Sequence, residues 1–556
     1  MFEEAETGLE TEMPVKMAKD PDWWRGAVIY QIYPRSFNDT NGDGIGDLNG
    51  VCERMDYISS LGVDAIWLSP FFTSPMDDFG YDVSDYEDVD PMFGTLADFD
   101  RMIAAAHERG LKVMIDLVIS HTSDQHPWFK ESRSSKNNDK ADWYVWADAR
   151  ADGTPPTNWL SLFGGSAWEW DSSRCQYYMH NFLASQPDLN FHNWEVQDAV
   201  LSAARFWLER GVDGFRLDTV NFYFHDARLR DNPPLSTTEV PTTVDPTNPY
   251  AYQDHLYDKT QPENLVFLER LRALLDQYPG TTSVGEIGAD GQAVELTASY
   301  TEADKRIHMA YSFELLTPQC SAGYIRGCVQ NMNGGIGSGW ASWALSNHDV
   351  PRVASRWGEG LDIARFAPLE TALCACLRGT PCLYQGEELG LRQADVPFEK
   401  LQDPYGIRFW PKYKGRDGCR TPIPWAKDQP NGGFSDAEPW LPVAPEHLEQ
   451  AVDEQEKDEA SVLNRNRAFY AWRQGQNALK KGDMTFLDSP GETLVFTRSF
   501  DGETVLCAFN LGDAQETFTL EELTLENLNA PGFTGTVGGN SITLDGLDAL
   551  FARVKS

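Results

Sequence analysis

The stretch Gly214-Phe215-Arg216-Leu217-Asp218-Thr219 sets a guanidinium and a carboxylate two residues apart in a short apolar run, after Gly211-Val212-Asp213 and before Asn221-Phe222. Side chains two apart in a strand share a face, so Arg216 can hold Asp218 ionised and aimed into one space. A structural ion pair inside an α/β domain has the same appearance. Other polar residues stand at the ends of other apolar runs: Asp116 with His121, Glu286, and His348 with Asp349. Asp116 as a capping acid and His348 as a satisfied core histidine are the plain alternatives there. Three carboxylates gathered on one rim, with histidines and tryptophans around them, suit the splitting of a glycosidic bond. That reaction needs one carboxylate to attack or stabilise the sugar cation, a protonated one to release the leaving oxygen, and donors that hold hydroxyls.

The elements that must position these groups alternate. Strands are expected at 27–33, 63–70, 112–118, 214–219, 281–287, 306–310, 340–349 and 380–385, and helices at 48–61, 95–109, 194–210 and 263–278. Strands alternating with helices indicate a parallel sheet with helices outside, and eight strands is the closed-barrel number. The C-terminal ends of barrel strands form one face, where residues distant in sequence meet. The stretch 119–186 is rich in Trp, Gly, Ser and Asp, lacks a helical period, and is too long for an ordinary loop. From about 482 the pattern changes to short alternating runs separated by Gly, Asp and Asn. The expected fold class is α/β: a (β/α)8 TIM barrel with an inserted subdomain after strand 3 and a C-terminal all-β domain. The expected division is an N-terminal tail at 1–20, the barrel at 21–118 and 187–481, the inserted subdomain B at 119–186, and the β domain at 482–556. A proline-containing insertion at 222–262 reads as a covering loop.

The chain has 556 residues, with 46 Lys+Arg against 85 Asp+Glu, a formal net charge of −39. Such a surface argues against nucleic acid and anionic lipid as partners and for a neutral or cationic ligand. No phosphate-binding glycine loop is present, so no organic cofactor is expected. The nine cysteines follow no disulfide or zinc framework, and residues 1–19 are acidic with no apolar core. A cytoplasmic protein with reduced thiols and no membrane anchor is expected. The sequence leaves the oligomeric state open.

The loop Asp39-Thr40-Asn41-Gly42-Asp43-Gly44-Ile45-Gly46-Asp47 carries oxygen side chains at alternate positions with glycine at the sixth. That spacing suits a hard cation, so a structural Ca2+ (or Mg2+) held by Asp39, Asn41, Asp43 and Asp47 with the Ile45 carbonyl is expected. An Asx-rich turn is the alternative. An EF-hand is excluded, because the twelfth position is Gly50 and no helix precedes the loop.

The stretches Gly62 to Pro70, Asp116 to His121, Gln186-Pro187-Asp188-Leu189-Asn190, Gly214 to Asn221, Val284-Gly285-Glu286 and Ser346-Asn347-His348-Asp349 resemble, in order and spacing, those of the α-amylase family of glycoside hydrolases, family 13. Gln31 to Phe37, the Asp39 to Asp47 loop and Arg416 to Trp425 resemble its α-glucosidase and oligo-1,6-glucosidase branch. The resemblance implies Asp218 as nucleophile, Glu286 as general acid/base and Asp349 as the third acid. It implies Asp82, Tyr81, His121, Arg216, Thr219, His348 and Arg420 as substrate-binding residues. One departure is Ser120, where relatives often carry an asparagine that helps to hold a calcium between barrel and insert; any cation is therefore expected in the Asp39 to Asp47 loop.

The resulting expectation is an exo-acting, retaining α-glucosidase that prefers α-1,4-linked glucose in short substrates such as maltose, with transglucosylation as a side reaction. The linkage preference rests on Thr219, where resembling α-1,6 enzymes tend to carry valine. The alternatives are an α-1,6-glucosidase or a sucrose-cleaving glucosidase. Inactive binding relatives lack the three carboxylates and carry a membrane helix, whereas here Asp218, Glu286 and Asp349 are all present.

Overall fold

The computed structural model describes residues 20–236, 244, 246–288, 291–302 and 305–555. The tail expected at 1–20 lies almost wholly outside them, as does part of the 222–262 insertion. Eight parallel strands form one sheet: β1 Ile29–Ile32, β2 Ala65–Leu68, β3 Lys112–Leu117, β4 Gly214–Leu217, β5 Thr282–Ile287, β6 Met309–Ser312, β7 Ser342–Ala344 and β8 Thr380–Tyr384. Their spatial order is β6-β5-β4-β3-β2-β1-β8-β7, and a parallel bridge between Ala310 and Ala341 brings the two outer strands together. The sheet is thereby curled into a barrel.

Period two decides which residues fill it. Ile29, Ala65, Trp67, Met114, Val284, Met309, Tyr311, Ala344 and Cys382 pack together inside the barrel. Their neighbours Tyr30, Ile66, Leu68, Val113, Ile115, Phe215, Leu217 and Leu383 face outward into a larger core shared with the helices. Asp116 follows Met114 by two, and Glu286 follows Val284 by two, so both acids stand on the inward face, one layer nearer the strand ends. Arg216 pairs in register with Asp116 on one side and Val284 on the other.

The helices behind the strands are specified locally. Leu96–Glu108 starts with a reciprocal capping box between Thr95 and Asp98 and buries Phe99, Met102, Ile103 and Ala106, one stripe at helical spacing. Trp194–Glu209 is capped by Asn193 and buries Val196, Val200, Ala203, Ala204, Trp207 and Leu208.

Three local expectations differ from the structure. The strand expected at 306–310 lies at Met309–Ser312, and that expected over 340–349 is only Ser342–Ala344, leaving His348 and Asp349 in the turn beyond it. The single helix expected at 48–61 is two, Leu48–Glu53 and Met55–Ser60. The stretch 119–186 contains a helix, Pro127–Ser134, beside a three-stranded sheet of Trp146–Ala147, Trp168–Asp171 and Gln176–Met179. With eight residues and only Phe129 and Ser132 buried, that helix is too short to print a helical period. Beyond residue 482 lie a five-stranded and a three-stranded antiparallel sheet. Buried Arg498 ties them to the barrel by donating to the carbonyls of Cys376, Leu377 and Gly482.

Candidate active site

Above the strand ends a cavity of about 200 Å3 is lined by Asp78, Tyr81, His121, Asp218, Thr219, Glu286, His348, Asp349 and Arg416, with aromatic walls. Phe163, Phe182, Phe222 and Tyr405 form one apolar cluster in those walls, contributed by the insert, the loop after β4 and a C-terminal loop of the barrel. Phe163 stacks on Tyr405 and Phe182 on Phe222. Flat apolar faces opposite a polar floor match a sugar ring, which has C–H faces and a hydroxyl rim.

The floor is organised by Arg216, which is fully buried. Its Nη1 donates to Asp116 Oδ1 at 2.8 Å and to Asp218 Oδ1 at 2.5 Å, while Nη2 lies 2.7 Å from Glu286 Oε2. One cation thus faces three carboxyl groups, and they do not all ionise together. Burial, reinforced by the charges of Asp218 and Asp349 and opposed by Arg216, pushes the Glu286 carboxyl up to about 8. Burial likewise raises Asp116 to about 7 despite Arg216. Burial thus favours the protonated form of Glu286.

Thr219 sits between the two acids with φ +40°, a left-handed backbone that a β-branched residue rarely adopts. That conformation turns its N–H onto Glu286 Oε2 at 3.1 Å. Its hydroxyl donates to Asp218 Oδ2 at 3.2 Å and lies 3.2 Å from Ser120 Oγ.

Asp349 has the opposite setting. Its Oδ1 accepts from Arg420 Nη2 at 2.9 Å and Arg416 Nη1 at 3.3 Å, and its Oδ2 lies 3.2 Å from His348 Nε2. Burial acts to raise its pKa, but His348, Arg416 and Arg420 together hold it well below the usual carboxylate range. Burial keeps His348 neutral by lowering it to about 3. Its ring is fixed at both nitrogens: Gln31 Nε2 donates to Nδ1 at 2.7 Å, and Nε2 donates to Tyr81 Oη at 2.6 Å. Tyr81 in turn donates to Asp116 Oδ2 at 3.1 Å and stacks on the His348 ring at 5.3 Å. His121 Nε2 meets the Tyr81 carbonyl at 2.9 Å, and Nδ1 meets Ser120 Oγ at 2.9 Å.

Two of the expected substrate contacts are placed elsewhere. Asp82 does not line the cavity; it accepts from Ser74 Oγ and from the Asp77 and Asp78 amides, closing its own loop. The carboxylate that reaches the cavity is Asp78, gripped by Arg416 Nη2 at 2.8 Å and by Gln186 Nε2 at 3.1 Å. Arg420 is buried behind Asp349 and binds the His348 carbonyl, so the guanidinium at the wall is that of Arg416. The adjacent acids Asp77-Asp78, four and five residues before Asp82, and the Arg416-Asp417 pair were the available signals. The aromatic walls carried none, because their residues come from three separate segments.

The Asp39 to Asp47 loop lies outside the cavity, and its side chains close mainly on the loop itself, with Asp39 also accepting from Ser435 Oγ. Asp39 accepts from the Asn41, Gly42 and Gly44 amides, Asn41 from Asp43, Asp43 from Ile45, and Asp47 from Thr40 and Gly50. Among the described residues, no group of three or more His, Cys, Asp or Glu is placed to hold a metal ion. Nor, among them, is any helix long and apolar enough to cross a membrane.

Residues 31–482 match the family model described as the α-amylase catalytic domain. A protein named "Probable alpha-glucosidase" from Rhizobium meliloti (strain 1021) is 56% identical over 538 residues, spanning 96% of this chain and 98% of its own length. The solved structure of an α-glucosyl transfer enzyme, XgtA, is 56% identical with a TM-score of 0.94, covering 96% of this chain and 99% of that one. That of the trehalulose synthase MutB from Pseudomonas mesoacidophila MX-45 is 34% identical with a TM-score of 0.87, at 96% and 99% coverage. The chain accordingly belongs to the α-amylase family, as an enzyme of its α-glucosidase and oligo-1,6-glucosidase branch.

Proposed function

We propose that the protein is a retaining enzyme acting on the terminal glucose of short α-glucosides, in which Asp218 attacks the anomeric carbon while Glu286 protonates the departing oxygen. The observation that carries this is Arg216, one guanidinium that contacts both Asp218 and Glu286 while burial raises the Glu286 carboxyl to about 8. Two carboxyls bracketing a single guanidinium suit the close spacing of retaining sites, about 5 to 5.5 Å, and not the wider spacing that admits a water between them. Asp218 forms a bond to C1 as the C1–O bond breaks, the electron pair leaves with the oxygen, and the Glu286 proton joins it. Water or a second sugar then gives its proton back to Glu286 and displaces Asp218. The non-reducing end is gripped by Asp349, His348, Asp78 and Arg416, which close the cavity behind one ring and support exo action. The test is an NMR time course on 4-nitrophenyl α-glucoside: α-glucose forms first under this reading, and β-glucose first refutes it.

The linkage remains the finer part of the proposal, and the α-1,4 preference loses its support. The Thr219 hydroxyl proton is already donated to Asp218 and its oxygen meets Ser120, so it has no proton left to donate to a leaving sugar. A second reading, in which sucrose or an α-1,6 glucoside is cleaved and glucose is transferred, is favoured by likeness to an α-glucosyl transfer enzyme, to a trehalulose synthase solved with the substrate sucrose, and to oligo-1,6-glucosidases. Comparing kcat/KM on maltose, isomaltose and sucrose, with product analysis, separates the readings. Under ours, Thr219→Val leaves the maltose-to-isomaltose ratio within about threefold, because a hydrogen bond worth about 1 kcal/mol is not made to the leaving group.

A divalent cation in the Asp39 to Asp47 loop belongs to the same proposal, held by Asp39, Asn41, Asp43 and Asp47 with the Ile45 carbonyl, and its role would be stability. The Asn41 and Asp43 oxygens that accept one amide keep a second lone pair for a cation, but Asp39, whose two oxygens each accept two hydrogen bonds, would have to release some of them first. Elemental analysis, and the Tm before and after chelation, decide it. The division into barrel, insert and β domain is proposed on the separate sheets. A reducing, cytoplasmic setting is proposed on the nine free thiols.

A further inference from the structure

Beneath the cavity, Tyr311 on β6 pairs in register with Glu286 on β5. It is buried and takes no part in the cavity lining. Its Oη accepts from Arg216 Nη2 at 3.1 Å and donates to Glu286 Oε1 at 3.2 Å. The other carboxyl oxygen, Oε2, lies against Arg216 at 2.7 Å and accepts the Thr219 N–H. An oxygen in contact with a guanidinium and already accepting an amide is a poor seat for a proton, so the proton of Glu286 falls to Oε1. Among the described residues, the side chain that donates to Oε1 is Tyr311. Burial keeps the phenol protonated, despite Arg216 beside it, and hence a permanent donor.

We propose that Tyr311 is a positioning residue for proton transfer: it relays an Arg216 N–H through its own hydroxyl to Glu286 Oε1, fixing the rotation of the carboxyl so that the second lone pair of Oε1 presents its proton to the glycosidic oxygen. The inference rests on the reading of Glu286 as the proton donor. It concerns orientation alone, since Tyr311 exchanges no proton with the substrate. A phenylalanine here would keep the ring packing and leave Arg216 its three carboxyl partners.

The test compares two substrates that differ in their need for an acid, ethyl α-glucoside and 2,4-dinitrophenyl α-glucoside, in the parent, Tyr311→Phe and Glu286→Gln. If Tyr311 orients the proton donor, Tyr311→Phe loses roughly tenfold or more in kcat/KM on the ethyl glucoside and less than about threefold on the dinitrophenyl one. Tyr311→His, which retains a ring N–H donor, recovers part of the loss on the ethyl glucoside only, and this keeps the test open should Tyr311→Phe fold poorly. Equal losses on both substrates, or none on either, would overturn the proposal. Glu286→Gln separates the two levels. Selective loss on the ethyl glucoside there, without selectivity in Tyr311→Phe, refutes the role of Tyr311 alone. Absence of selectivity in Glu286→Gln refutes the reading beneath it.

Discussion

The two ends of the cavity use the same residue types in opposite proportion. At the floor, one guanidinium, Arg216, faces Asp116, Asp218 and Glu286, and burial, opposed by that single cation, leaves Glu286 and Asp116 raised to about 8 and 7. At the back wall, Asp349 meets both Arg416 and Arg420 and is held ionised. A carboxylate that must carry a proton is starved of cations, and one that must grip hydroxyls as a permanent anion is saturated with them. The ratio of guanidinium to carboxyl, more than the carboxyl itself, separates acid from anchor.

That contrast can be broken from either side. The largest effect is expected from Asp218→Asn, which under the proposed mechanism removes the attacking group and should lower kcat by several orders of magnitude with the fold intact; azide should partly rescue Asp218→Gly and yield glucosyl azide. Next in size is Glu286→Gln. It should abolish the fall of kcat/KM on the basic side, which in the parent is expected near pH 8, where the proton leaves Glu286. A parent profile that falls already at pH 6 would contradict the crowded floor.

The anchor end gives a smaller effect that sharpens the difference between two neighbouring acids. Asp78→Asn weakens the grip of Arg416 at the cavity wall and should raise KM by roughly ten- to a hundredfold, as loss of a charged hydrogen bond of about 1.5–3 kcal/mol implies. Asp82→Asn should leave KM within a few-fold and lower Tm instead, because its carboxylate serves only the 74–82 loop. Equal KM effects would merge the two roles.

The smallest effect is on stability. Glu286, Asp116 and Glu387 are each raised first by burial, to about 8, 7 and 8, above ordinary values of 4.5 and 3.8. Between those values the folded chain holds protons that the unfolded chain has released. Their contribution is full below about pH 4 and is lost as pH rises through 7 to 8. Tm should therefore fall between pH 6 and pH 9, and Glu286→Gln should flatten part of that slope; a Tm that rises over this range would reverse the sign.

Much of the frame was legible in the sequence because it repeats. Period two put Asp116 and Glu286 on the inward face, and the eight apolar runs required a barrel rim at which Asp218, Glu286 and Asp349 meet. Asp82 was expected from the family resemblance alone, whereas its three hydrogen bonds are made within its own loop and leave Asp78 to reach the cavity. Thr219 was legible as a neighbour of the nucleophile, but its positive φ, which aims its amide at Glu286, depends on tertiary packing. Tyr311 gave no signal, since a tyrosine in an apolar strand is ordinary core until its hydroxyl is seen between Arg216 and Glu286.

The central claim is that the crowded floor, and not the cation-rich back wall, supplies the attacking group. The most direct measurement is to trap the intermediate with 5-fluoro-α-glucosyl fluoride, digest the labelled protein and locate the added sugar by mass spectrometry. One glucosyl label is expected, on the peptide that contains Asp218 and on that carboxylate. A label on Asp349 or Glu286, or turnover of the reagent with first release of the β anomer and no label at all, would contradict it.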